Sequence, residues 1–213
     1  MKTDKLIDVL SANVEPIKGG ELRHALAVGL GVGGAIALCL MFAIFGLPAD
    51  AFRSEYVGLK GLALALTLGV AAVGAGFLVR LARPGQPARL PLLPIVLALF
   101  LLIAASCVTL ALTAPAAWSR LVLGPQWSVC LVCVPLFAVA PFASLIWALR
   151  KGAPTNLRRT GAVAGLVAGA LGAAVFALHH VGGSIPFITL WYGGPILLCT
   201  LFGALLGPRL LRW

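Results

Sequence analysis

Six apolar runs, each about as long as a bilayer is thick, dominate the chain: residues 25–47, 57–78, 90–112, 128–149, 160–178 and 187–206. A helix crossing a hydrocarbon core of about 30 Å needs about 20 mostly apolar residues. None of the runs alternates with period two, so they do not read as strands of a membrane β-barrel. Composition agrees: 61% of residues are hydrophobic, 10% are charged, and the mean hydropathy is +1.07. A soluble domain carries about a quarter charged residues to cover its surface. Here the outer solvent has to be lipid. The expected fold is all-α and polytopic, with six transmembrane helices in one bundle over residues 25–213. Residues 1–24 form a separate polar tail.

The orientation follows from the basic residues. Lys2, Lys5, Lys18 and Arg23, then Arg80, Arg83 and Arg89, then Arg150, Lys151, Arg158 and Arg159, and finally Arg209 and Arg212 share one side of a six-span topology. Only Arg53, Lys60 and Arg120 fall on the other. The positive-inside rule therefore predicts that both termini are cytoplasmic. Trp118, Trp127 and Trp191 fall near the opposite interface, where indoles favour the headgroup region. The net charge of +10 is accounted for by these short loops rather than by a nucleic-acid-binding face. Residues 1–20 are polar and mixed in charge, unlike a cleavable signal peptide.

Some functions are disfavoured. No Asp or Glu follows Glu55, and none lies inside a span. Proton-coupled pumps and many transporters use intramembrane carboxylates, and no inverted repeat with matched broken helices is visible. A small passive transporter or pore remains the alternative. A thiol oxidoreductase using Cys130 and Cys133 would lack a quinone or haem constellation, since the three histidines are His24, His179 and His180.

Three stretches stand out. In the fifth span Gly161, Gly165 and Gly169 recur every four residues, and Gly172 follows. They make a smooth face for close helix approach, within the bundle or with a second copy in a homodimer.

Cys130 and Cys133 share one helix face near the start of the fourth span. His179 and His180 close the fifth span at the same end, and Cys107 lies one to two turns from that end of the third. Thiolate and imidazole bind soft or borderline cations, so these residues are candidate ligands for copper, zinc or cadmium acting as a signal. No obligatory cofactor is implied. The plainer alternative is packing cysteines and interfacial histidines. The odd count of five cysteines argues against a complete disulfide framework.

In the tail, Leu6, Ile7, Leu10 and Val14 fall at helical spacing, with Asp4, Lys5 and Asp8 among them. Thr3 is a candidate cap and Pro16 a stop. Gly19 and Gly20 form a joint before the first span. An amphipathic helix on a flexible joint either lies on the bilayer or docks into a partner's groove. Its nearly balanced charge favours a protein partner.

Several strings resemble the NrsF-type bacterial membrane anti-sigma factors. They include Thr3-Asp4-x-Leu6-Ile7-x-x-Leu10 with Glu15-Pro16-Ile17, and Cys130-Leu-Val-Cys133-Val-Pro135-Leu-Phe137 with Pro141-Phe142. Others are Ala148-Leu149-Arg150-Lys151-Gly152-Ala153-Pro154-Thr155, the glycine stripe, Ala177-Leu178-His179, Trp191-Tyr192 and Gly203-Ala204-Leu205-Leu206-Gly207-Pro208-Arg209. The resemblance implies a six-helix inner-membrane protein that holds an extracytoplasmic-function (ECF) sigma factor and answers heavy-metal or redox stress. It implies no enzyme activity and no direct contact with nucleic acid.

Family members carry two signal-sensing cysteines on the periplasmic side. Cys130 matches the first, with Cys133 a close competitor. The second position is His180 here, and Val181-Gly182-Gly183 stands where the family has acidic residues. A two-cysteine disulfide between the fourth and fifth spans therefore cannot form as in the family. Three expectations replace it: a mixed Cys and His metal site, sensing by Cys130 and Cys133 together, or a different signal.

Overall fold

A computed structural model describes residues 20–46, 57–82, 92–124, 126–152, 154–179 and 183–212. All regular structure among them is helical. The elements are α1 (Glu21–Phe45), α2 (Val57–Leu81), α3 (Leu92–Ala111), a 3-10 turn (Pro115–Ala117), α4 (Trp118–Leu123), α5 (Trp127–Leu149), α6 (Leu157–His179) and α7 (Ile185–Leu210).

The six long helices overlay the six apolar runs. Five regions, α1, α2, the 115–149 stretch containing α5, α6 and α7, are long and apolar enough to cross a membrane. In α3 the qualifying apolar stretch is the shorter Leu99–Ala111. The span count supported by length and composition is thus five to six. The 3-10 turn and α4 occupy what the sequence offered only as a loop. That segment ends at Gly124, whose φ of +58 favours glycine. A Cβ there would also lie 2.8 Å from Cδ2 of Phe187.

Helix α6 is the hub. In its most apolar window 78% of residues are buried, against 22% in α1. It packs most extensively on α7, then on α5 and α2, with a smaller contact on α1. Its composition explains this, because small residues on every face let several helices approach its backbone closely. Gly161 and Gly165 meet Gly203, Gly207 and the Cys199 carbonyl of α7. Gly169 faces Ile196 and Cys199, Gly172 faces Val134 and Ala138 of α5, and Val167 inserts opposite Gly74 of α2. The glycine stripe is therefore buried against α7 of the same chain. It is not available as a face for a second copy, which corrects the homodimer expectation for these residues. Gly29 and Gly33 of α1 make a second close approach, onto Pro141 and Ser144 of α5.

Buried residues fall into two clusters at opposite ends of the bundle. One joins Leu22 and Leu26 of α1, Leu78 of α2, Leu145 and Leu149 of α5, and Val167 of α6. The other joins Met41 of α1, Cys130, Cys133 and Phe137 of α5, Phe176 of α6, and Phe187 and Tyr192 of α7. The start of α1 thus lies with the ends of α2 and α5, as alternating helix directions require. Arg23, Arg80, Arg150, Arg158 and Arg209 fall toward the first end, the basic end; the second is the cysteine end. The outer faces carry large apolar side chains such as Phe100, Phe202 and Leu205, suited to lipid contact.

Candidate functional site

The cysteine end is built around a break in α7. In an α-helix the carbonyl of residue i accepts the N–H of residue i+4. Proline has no N–H. Pro195 therefore leaves the Trp191 carbonyl without its intrahelical donor. The Cys130 thiol of α5 fills that place, its Sγ donating to the Trp191 oxygen at 2.8 Å. Cys130 is completely buried, and Pro195 is among the most deeply buried residues.

Trp191 is held from a second side. Its indole Nε1 donates to the Val122 carbonyl of α4 at 2.7 Å. Its ring lies 5.2 Å from that of Trp127, centroid to centroid. Ser184 caps α7 by accepting the Phe187 N–H at 3.2 Å, and its hydroxyl donates to the Leu121 carbonyl at 2.5 Å. Short helix α4 is thereby tied to the start of α7 at two carbonyls. Below this layer Tyr192 packs edge-on to Phe176, with centroids 6.1 Å apart.

The sequence-derived site residues separate into groups. Cys130 and Cys133 do share a face, and both are buried. All five cysteines are free thiols. His179 instead stacks on Phe45 of α1, with ring centroids 4.4 Å apart and planes at 25°. Phe45 in turn packs edge-on against Phe137. His179 Nδ1 is buried without a hydrogen-bond partner among the described residues. His180 lies outside the described residues, as do Leu6, Ile7, Leu10 and Val14. Among the described residues, no three His, Cys, Asp or Glu side chains converge as a metal site. Cys107 is exposed on the outer face of α3.

Sequence reading missed Trp191, Pro195 and Phe45 as participants. A signal for the first two was present, because a proline four residues after a tryptophan announces an orphaned carbonyl. Nothing in the spacing pointed to Cys130 as its donor.

The basic end is simpler. Arg150 Nε donates to the Leu210 carbonyl at 2.8 Å and ties the end of α5 to the end of α7. Lys151 Nζ lies 4.1 Å from the centre of the Trp147 ring, a cation–π contact. Asn156 caps α6, its Oδ1 accepting the Arg159 N–H at 3.0 Å. Between α1 and α5 an open cleft is lined by Glu21, His24, Val28, Trp147 and Lys151. It lies beside Gly20, where the tail joins the bundle.

Comparison with known proteins agrees along the whole chain. A family model described as "Negative regulator of sigma F" matches residues 10–213. The "Probable anti-sigma-F factor NrsF" of Azospira oryzae is 34% identical over 215 residues, covering 100% of both chains. The "Anti-sigma-F factor NrsF" of Caulobacter vibrioides is 32% identical over 228 residues, again covering 100% of each. No solved structure matches. These relatives are regulatory proteins and not enzymes. Because the likeness is not confined to the glycine stripe or the cysteine region, this chain is a member of the NrsF family of negative regulators of sigma F.

Proposed function

We propose that this chain is an anti-sigma factor that sequesters an ECF-type sigma factor at the bacterial inner membrane and releases it on a periplasmic metal or redox signal. The observation that carries the reading is the full-length similarity to two anti-sigma-F factors. The charge asymmetry supports six spans with both termini cytoplasmic. In that topology the basic end and the tail face the cytoplasm, and the cysteine end faces the periplasm.

The holding element is the tail, with Leu6, Ile7, Leu10 and Val14 as its apolar face. The cleft beside Gly20 is adjacent to it and presents a mixed charged and aromatic surface. The receiving element is the cysteine end, with Cys130 and Cys133 on α5, His179 at the end of α6 and the His180 that follows it in sequence as the residues that meet the signal. A copper, zinc or cadmium ion acts as a signal and not as a resident cofactor. It must bind the releasing state more tightly than the holding state. A tenfold loss of sigma affinity requires about 1.4 kcal/mol of such coupling, a small quantity beside the strength of a metal–thiolate site.

Co-purification tests the holding element. Wild-type chain in detergent should retain a co-expressed sigma-F-type sigma factor from the same organism, and a Leu6→Asp, Leu10→Asp variant should lose at least about tenfold in affinity. Full retention by that variant would remove the tail from the mechanism. For the receiving element, Cys130→Ser and His180→Ala should leave a sigma-dependent reporter silent under cadmium. A normal response in both would remove those residues.

A further inference from the structure

The bond between Cys130 and the break in α7 has a consequence beyond ligand identity. A carbonyl shielded from water and left without a donor is costly, commonly about 1–3 kcal/mol when fully buried, and Pro195 takes the helical donor away from the part-buried Trp191 carbonyl. In the resting chain the Cys130 S–H removes it. The thiol therefore does structural work through its proton.

We propose that Cys130 is a hydrogen-bond latch on the proline break of α7, and that the resting packing of α5 against the first half of α7 depends on its S–H. Without that S–H the Trp191 carbonyl has no donor, and α7 loses its tie to α5 at this level. The Trp191 indole is bonded to Val122 of α4 and its ring lies beside that of Trp127, so the latch borders both elements.

A latch of this kind needs one cysteine and one proline. The inference goes beyond the proposed anti-sigma reading and does not rest on it.

The test uses substitutions that remove, keep or bypass the proton donor. Full-length chain in lipid nanodiscs is compared by amide hydrogen exchange over residues 187–195. Cys130→Ala removes the donor and should speed exchange there by about tenfold, with no metal present. Cys130→Ser keeps an O–H donor and should stay close to wild type. Pro195→Ala restores an N–H for the Trp191 carbonyl. The double variant Cys130→Ala, Pro195→Ala should therefore return to the slow exchange of the wild type.

Wild-type exchange in Cys130→Ala, or no recovery in the double variant, would overturn the latch. So would fast exchange in Cys130→Ser. If Cys130→Ala does not accumulate, recovery of accumulation by the added Pro195→Ala substitution supports the latch and absence of recovery refutes it. These readouts involve no sigma factor. A latch that holds in a chain with no sigma affinity would defeat the anti-sigma reading alone. Sigma binding with an unchanged α7 would defeat the latch alone.

Discussion

The two ends of the bundle are built from different materials. The basic end is packed from Leu22, Leu26, Leu78, Leu145, Leu149 and Val167, nearly all aliphatic. A cross-helix polar tie there, Arg150 to Leu210, lies at the exposed rim. The cysteine end is packed from Met41, Cys130, Cys133, Phe137, Phe176, Phe187 and Tyr192. Its ties are part-buried and link three helices, from Cys130 to Trp191, from Trp191 to Val122 and from Ser184 to Leu121. Dispersion between aliphatic side chains does not respond to protons, metals or oxidants. A hydrogen bond from a thiol does, because it vanishes with the proton. One end is held by dispersion alone in its core, and the other includes a thiol hydrogen bond among its ties. Helices α5, α6 and α7 run through both, so a change at one end has a physical route to the other.

Both ends depend on the α6–α7 seam, so the largest expected effect is there. A Cβ on Gly165 would collide with the Cys199 carbonyl, which is backbone and cannot swing aside. Gly165→Leu should cost more than about 3 kcal/mol and abolish accumulation of folded protein, since overpacking against backbone cannot be relieved by a rotamer change. Gly31, on α1, meets nothing within 4 Å. Gly31→Leu should leave thermal stability in detergent within about 0.5 kcal/mol of wild type. Equal behaviour of the two variants would show that the seam is not built as described.

How much of this was visible in the sequence depends on the range of the interaction. The spans were legible because each run satisfies the bilayer on its own, with no knowledge of its neighbours. The stripe Gly161, Gly165 and Gly169 was legible as a face for close approach. What fills it was not, because Gly203 and Gly207 lie some forty residues away and only packing brings them together. Cys130 and Cys133 were legible as a pair. Their expected convergence with His179 was not what packing produced, since His179 turns to the ring of Phe45, far away in sequence. Helix α4 was missed because six residues carry too little periodicity to separate a helix from a loop.

Cavity-forming substitutions at matched depth sharpen the comparison. Leu145 at the basic end and Phe137 at the cysteine end are both completely buried on α5. Leu145→Ala should cost about 3 kcal/mol and Phe137→Ala about 4 kcal/mol. Stability alone hardly distinguishes them. Local mobility should, because Phe137 supports Phe45 and through it the His179 ring. Hydrogen exchange near the end of α6 should rise in Phe137→Ala and stay unchanged in Leu145→Ala. A rise in both would mean that the ends are one packing unit and that the contrast in materials has no mechanical meaning.

The smallest expected effect comes from Arg150. Arg150→Met keeps the length of the stem and removes the donor to Leu210. The residue is exposed, so water can serve the freed carbonyl, and the loss should be only about 0.5–1 kcal/mol. Removing one of thirteen basic residues on that side leaves the charge asymmetry intact, so topology should hold. The informative readout is tryptophan fluorescence with Trp118, Trp147 and Trp213 replaced by Phe, which leaves Trp127 and Trp191 as reporters. An unchanged spectrum is expected if the rim tie only trims the basic end. A shifted spectrum would mean that freeing the end of α7 is felt at its proline break. The Arg150 tie would then belong to the path between the two ends, and the basic end would be less passive than its aliphatic core suggests.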